Sequence, residues 1–265
     1  MIRSALITVM VQAARKAGRT LVRDFGEVEN LQVSQKGPAN FVSAADRRAE
    51  ETLYRELSKA RPTFGFLMEE RGRVAGSDPN HEWVVDPLDG TTNFLHGIPL
   101  FAISIGLVRE GSLIAGVIYN PISDEMYVGE RGQGAYLNNR RLRVAARREL
   151  ADCVVCCGIP HRGRGDVERF RAELTAVQGV VAGVRRTGAA ALDLAWVASG
   201  RFDGFWERGL SSWDLAAGVL LVREAGGFVT DLDAGHDILD KGSVVAGNEA
   251  IHRELLAALK TAGQN

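Results

Sequence analysis

Asp86 and Asp89 follow the apolar run Trp83-Val-Val85, inside the stretch Asp86-Pro-Leu-Asp-Gly-Thr-Thr-Asn-Phe94. Two carboxylates at one strand end repel each other strongly unless a cation lies between them. Carboxylates without histidine or cysteine select a hard ion, which favours magnesium over zinc. Pro87 forces a turn, and Gly90 lets the backbone approach a ligand closely. Thr91 and Thr92 add hydroxyls beside backbone N–H groups that could face an anion at a helix start. An ordinary turn accounts for Asp89-Gly90 alone. It does not account for two aspartates, a proline, a glycine and two threonines packed behind a strand.

Other acids stand at element boundaries. Asp214 lies in Ser211-Ser-Trp-Asp-Leu-Ala-Ala-Gly-Val-Leu-Leu-Val-Arg-Glu-Ala-Gly-Gly227, in the first turn of a helix that is apolar on nearly every side. Alone, it fits a carboxylate complementing the helix dipole, with Ser212 as cap. Read together with Asp86 and Asp89, it is a third metal-binding carboxylate. Glu69-Glu70 ends the strand Phe64–Met68 and alone reads as the solvated start of a loop. Ser43-Ala-Ala-Asp46 fits a capping box. Glu207 follows Phe205-Trp206 and either faces the metal site from a buried strand end or pairs with Arg208 or another neighbour at the surface.

The elements that must position these residues divide in kind. Helices are predicted over 2–25 and 43–60, with a polar loop at 30–42, a strand at 64–68, a Gly- and Pro-containing loop at 71–81 and a short strand at 83–85. Strands near 101–108, 113–119, 125–129 and 134–137 read as an antiparallel meander. Residues 138–150 form a basic connection. Strands at 153–157, 180–186, 203–206, 228–231 and 243–246 then alternate with helices at 166–178, 189–199, 213–225 and 249–261. The fold class is mixed, α+β to about residue 145 and α/β from 146 to 265, within a single catalytic domain.

At 265 residues the chain is long enough to bury a large core without staples. A net charge of -1 gives no case for a general nucleic-acid or membrane-surface binder. Cys153, Cys156 and Cys157 are too few and too clustered for a disulfide framework, and their apolar flanks read as a buried strand rather than a zinc site. With no stretch apolar enough to span a bilayer and no cleavable leader, the expected location is cytoplasmic.

The Asp86–Phe94 and Trp213–Gly227 stretches together resemble the two signatures of the inositol monophosphatase family, and the resemblance covers nearly the whole chain. Arg185-Arg-Thr-Gly-Ala-Ala-Ala-Leu-Asp-Leu194 and Gly200-Arg-Phe-Asp-Gly-Phe-Trp-Glu207 look like its bacterial branch. The resemblance implies a layered αβαβα fold and a Mg2+-dependent phosphatase acting on small polyol or sugar phosphates, foremost myo-inositol 1-phosphate, with fructose 1,6-bisphosphate as the alternative. By position it assigns a first magnesium to Glu69, Asp86 and the Leu88 carbonyl, and a second to Asp86, Asp89 and Asp214. Glu69 and Thr91 would orient the attacking water, with Asp46 hydrogen-bonded to Thr91. The Gly90 and Thr91 amides would bind phosphate, and Asp89, Ala190 and Glu207 would meet the substrate hydroxyls. Lys36 matches a loop lysine near the active site. Lithium sensitivity and a homodimer, with segments 98–108 and 153–159 extending into its interface, belong to the same set of expectations. Met68 and Ala189 depart from the family pattern, and Ala189 removes one substrate hydrogen bond that a serine or threonine would make.

Two rival readings remain. Haloacid-dehalogenase phosphatases also use paired aspartates, but with one residue between them, whereas Pro87 and Leu88 both separate Asp86 from Asp89. A regulatory partner of the transcription machinery could use the basic stretch Arg140-Arg141-Leu-Arg143 and Arg147-Arg148, which a solvated turn face explains more simply.

Overall fold

The computed structural model describes residues 4–27, 33–35, 41–161 and 163–262. Apolar residues at helical spacing give α1 (Ala5–Phe25) one buried face through Met10, Ala14, Ala17 and Leu21. Ser4 caps it, its hydroxyl accepting the Ile7 N–H at 3.1 Å. A small antiparallel ribbon, β1 (Val33–Gln35) and β2 (Phe41–Ser43), leads into α2 (Ala44–Ala60). The buried face of α2 carries two acids, Asp46 and Glu50, among Ala45, Ala49, Leu53 and Leu57. The cap expected from Ser43 rests on a side chain outside the described residues, as does Lys36.

The first sheet comprises β3 (Phe64–Met68), β4 (Gly72–Val74), β5 (Asp78–Asp89), β6 (Ala102–Arg109), β7 (Ser112–Asn120), β8 (Glu125–Glu130), β9 (Gly134–Leu137) and β10 (Arg140–Arg141). A one-turn helix, α3 (Thr91–Leu95), joins β5 to β6. The strand order is β10-β9-β8-β7-β6-β5-β3-β4, antiparallel except for the parallel pair β3 and β5. The expected meander is present. Residues 71–81, read as a loop, instead hold β4 and the start of a twelve-residue β5. Proline and glycine mask strand character there, while pairing to β3 and β6 supplies it.

The second half contains β11 (Val154–Cys157), α4 (Val167–Gln178), β12 (Gly183–Arg185), α5 (Ala190–Ala198), β13 (Gly204–Arg208), α6 (Ser212–Glu224), β14 (Phe228–Thr230), α7 (Ile238–Lys241), β15 (Ser243–Gly247) and α8 (Glu249–Ala262). The sheet order is β12-β11-β13-β15-β14. Strands β12, β11 and β13 are parallel, whereas β15 is antiparallel to both neighbours. The link from β14 to β15 holds only the short α7, too little for a full crossover, so the chain returns antiparallel.

Five layers result: α1 and α2, the eight-stranded sheet, α5 and α6, the five-stranded sheet, then α4 and α8. Helix α6 lies in the middle layer, which explains its all-round apolarity. Its backbone sits hard against the first sheet. A Cβ on Gly116 would come 3.0 Å from the Ala217 backbone, and one on Gly106 would come 2.7 Å from the Ala216 Cβ. Met68 is fully buried in the core beneath α1 and α2, so its departure from the family pattern is a matter of packing. The three cysteines are buried free thiols on or next to β11. Burial pushes Cys153 and Cys157 up to about 12, so they are poor nucleophiles and poor metal ligands.

Candidate active site

Residues three apart in a regular strand point to opposite faces. Asp86 and Asp89 do not, because β5 is bulged between them. Asp86 pairs with Ser104 and Asp89 with Ala102, so three steps on β5 match two on β6. The extra residue turns both carboxylates to one side. The Leu88 N–H then bonds back to Asp86 Oδ1 at 2.9 Å. Gly90 follows with φ +89°, and a Cβ there would stand 2.9 Å from the Leu100 carbonyl. The first-turn amides of α3, which begins at Thr91, have no carbonyl within that helix to bond.

Glu69 and Asp86 directly follow Met68 and Val85, the last pair at the C-terminal end of the parallel match between β3 and β5. Glu207 and Gly158 stand at the same ends of β13 and β11. Asp214 enters from the first turn of α6. These groups line one cleft of about 500 Å³, together with Leu88, Thr91, Ala190 and Asp193. One carboxylate oxygen each from Asp86, Asp89 and Asp214 fall within 4.8 Å of one another, and so do one each from Asp46, Glu69 and Glu70.

The electrostatics follow from crowding. Burial raises the Asp86 pKa well above normal, and Glu69, Asp89, Asp214 and Asp46 push it further. Asp89 is raised in the same way by burial and then by Asp214, partly offset by the Ala191 N–H that its Oδ2 accepts at 2.8 Å. Burial also raises Asp214, against the Ser211 N–H and the Arg164 guanidinium 3.9 Å away. Buried oxygens that repel one another, with no nitrogen or sulfur donor among them, fit a hard divalent cation.

The two accounts of Asp214 prove compatible. Its Oδ2 accepts the Ser211 N–H at 2.7 Å, capping α6, while the carboxyl faces Asp86 and Asp89. The cap position is therefore Ser211 rather than Ser212, which is the first helical residue. The Thr91 hydroxyl donates to the Leu88 carbonyl at 2.9 Å. Glu207 faces the cleft and makes no ion pair with Arg208, which instead pairs with Glu173 at 2.7 Å. The carboxyl of Glu207 is pushed up to about 8 by burial, then by Asp193 and Asp214.

Several residues in or beside the cleft had no role assigned from the sequence. Asp193 is 1% exposed and raised to about 7 by burial, and it accepts Thr187 Oγ1 at 2.6 Å and Cys156 Sγ at 3.1 Å. Arg164 and Arg186 bring positive charge to the cleft wall. Asn93 ties the two halves together, donating to the carbonyls of Leu100 at 2.7 Å and Thr187 at 2.8 Å. Segments 98–108 and 153–159 are not available for association as a whole. Strand β6 is central and buried, β11 is buried, and from these segments only Ile98 and Ile159 are exposed large hydrophobics.

Residues 3–264 match the model of the inositol monophosphatase family. An inositol-1-monophosphatase of Mesorhizobium japonicum is 67% identical over 260 residues, covering 98% of each chain. A protein of Pseudomonas aeruginosa named Nus factor SuhB is 42% identical over 259 residues, covering 96% of each. The crystal structure of the extragenic suppressor protein suhB from Bartonella henselae superposes with a TM-score of 0.95 at 61% identity, covering 97% of this chain and 99% of that one.

Proposed function

The chain belongs to the inositol monophosphatase family and is a metal-dependent phosphatase, and from that premise we propose that magnesium is its metal and a small polyol phosphate, foremost myo-inositol 1-phosphate, its substrate. The observation that carries this reading is the convergence of the Asp86, Asp89 and Asp214 carboxylates within 4.8 Å at one cleft. Glu69, Asp86 and the Leu88 carbonyl would hold one cation, and Asp86, Asp89 and Asp214 a second. When bound, the cations supply the Lewis-acid charge that phosphoryl transfer needs.

The chain's own residues do the rest. Glu69 and the Thr91 hydroxyl orient a water in line with the phosphorus. The Gly90 and Thr91 amides face the phosphate oxygens, held in place by the left-handed Gly90 and by Asn93. Ala190 and Glu207 also line the cleft, where the hydroxyls of a polyol would lie. Water attacks directly, so no phosphoenzyme forms. Phosphate release from inositol 1-phosphate, fructose 1,6-bisphosphate and other sugar phosphates, assayed with magnesium and with chelator, tests the proposal. Release that is equal across substrates, or that survives chelation, would overturn it.

Lithium inhibition at tens of millimolar, roughly the range for a weak oxygen site, belongs to the same proposal. So do a cytoplasmic location and a homodimer. No helix among the described residues is long and apolar enough to cross a membrane. The exposed Ile98 and Ile122 sit on loops joined by the hydrogen bond from Asn120 Nδ2 to the Pro99 carbonyl, and they are suited to a pairing surface that light scattering can detect. The relative named a Nus factor raises a second reading, a transcription partner bound through the exposed Arg140, Arg141 and Arg143. Loss of capture when these three are changed to Ser, with phosphatase activity kept, would establish it.

A further inference from the structure

Glu50 has no place among the metal ligands, yet it is only 4% exposed, on the face of α2 that also carries Asp46. Strands β3 and β4 pair Met68 with Gly72, so Glu69, Glu70 and Arg71 form the tip of a three-residue hairpin closed by the left-handed Gly72, φ +71°. A hairpin tip ordinarily gives its amides to water and moves freely. This one does not. Glu50 Oε2 accepts the Glu70 N–H at 2.8 Å and the Arg71 N–H at 3.3 Å. The Arg71 guanidinium stands 3.8 Å from Glu50 Oε1, pairs with Glu51, and lies 4.2 Å over the Tyr54 ring. Helix α2 thus grips the tip at three residues within about one helical turn.

The gripped residues directly follow Glu69. One turn before Glu50, Asp46 lies in the same acidic group as Glu69 and Glu70. We propose that Glu50 is a positioning residue that locks the β3–β4 hairpin tip so that Glu69 stands ready for a divalent cation, and that it thereby sets the affinity of that side of the cleft for magnesium. This rests on the metal-dependent reading of the cleft. The physical reason is preorganisation: a ligand on a free tip must be ordered when the ion binds, and a clamped one need not be. A hydrogen-bonding partner of this kind is worth roughly 10- to 100-fold in metal affinity.

The test is calorimetric titration of magnesium into chelator-treated wild type, Glu50→Gln, Glu50→Asp and Glu50→Ala, with the half-activating magnesium concentration and KM measured alongside. Glutamine keeps an oxygen that can accept both amides, so it should stay within about threefold of wild type. Alanine should weaken magnesium binding roughly 10- to 100-fold. Aspartate, one methylene shorter, should fall between them and serves if alanine does not fold. For each variant KM at saturating magnesium should be unchanged. A merely structural role would lower melting temperature and leave magnesium affinity alone, and that result in both Glu50→Ala and Glu50→Asp overturns the proposal. No magnesium binding by wild type would overturn the metal reading itself, and this proposal with it.

Discussion

Glu207 offers a way to separate substrate recognition from metal chemistry. Without metal its carboxyl is pushed up to about 8 by burial, then by the charges of Asp193 and Asp214. A cation beside Asp214 offsets one of those charges, so Glu207 shifts towards the carboxylate, the form that accepts polyol hydroxyls best. Glu207→Gln keeps the shape and loses the charge. A hydrogen bond to a charged group contributes about 1.5–3 kcal/mol. The expected loss in kcat/KM for inositol 1-phosphate is therefore roughly 10- to 150-fold, with turnover of hydroxyl-poor 4-nitrophenyl phosphate within about threefold.

The structure provides an independent perturbation of the same group. A Cβ on Gly158 would fall 1.8 Å from Glu207 Cδ, so Gly158→Ala must displace the carboxyl without changing its chemistry. Both variants should show the same substrate discrimination in a phosphate-release assay at saturating magnesium. Equal losses on the two esters would mean that Glu207 tunes the metals or supports the fold, and polyol recognition by this residue would be refuted.

Asp214→Asn leaves an oxygen to accept the Ser211 N–H, so α6 should stay capped while turnover falls on the order of 10²-fold or more, the least expected of a direct ligand when outer partners alone cost up to that. Near-normal turnover would remove Asp214 from the metal set. Burial pushes the Asp193 carboxyl up to about 7, from an ordinary 3.8. Its folded pKa is raised, so the protonated form favours the fold, and stability is lost as pH rises from about 4 to about 7, by at most roughly 4 kcal/mol. Asp193→Asn in chelator should flatten that part of the urea-unfolding profile, and an unchanged slope between about pH 4 and 7 would show the burial argument to be wrong. Gly90→Ala forces a side chain into φ +89° and against the Leu100 carbonyl, so a cost of about 1–3 kcal/mol in thermal unfolding is expected, with loss of turnover. Wild-type stability and rate together would mean that the loop is not held as described.

The change from an α+β half to an α/β half and the acids at Asp86, Asp89 and Asp214 were readable because local pattern carries them, whereas the layering came only with the family resemblance. An apolar strand ending in aspartates and a helix without a polar face both announce themselves. Other features have no local trace. The bulge that puts Asp86 and Asp89 on one side is visible only in the pairing with β6. Strand character at 72–74 and 78–82 depends on partners against a sequence rich in glycine and proline. Gly158, Arg164, Asp193 and Glu50 join the cleft or its support through the ends of β11, the loop after it, and the faces of α5 and α2. None of these lies within the Asp86–Phe94 or Trp213–Gly227 stretch, and Asp193 stood in a quoted stretch without an assigned role. The same blindness applied to association, since a run of apolar residues at 102–107 looks the same whether it is a central strand or an interface.

Whole-chain charge conceals the governing feature of the molecule. A net charge of -1 looks neutral, yet Asp86, Asp89, Asp193, Glu207 and Asp214 converge on one cleft, with Glu69 beside them. Arg164 stands 3.9 Å from Asp214 and supplies the nearest opposing charge. Arg164 and Arg186 together cannot balance that set, so in the absence of metal the carboxyls respond by holding protons, as the raised Asp86, Asp89 and Asp214 do. A cation that binds the folded cleft and not the unfolded chain must then displace those protons and add stability by mass action. The cleft proposed to hold the metals is thus also the site that destabilises the metal-free fold, while the close packing of α6 on Gly106 and Gly116 fixes the helix that carries Asp214 and the Ser211 N–H holds its carboxylate.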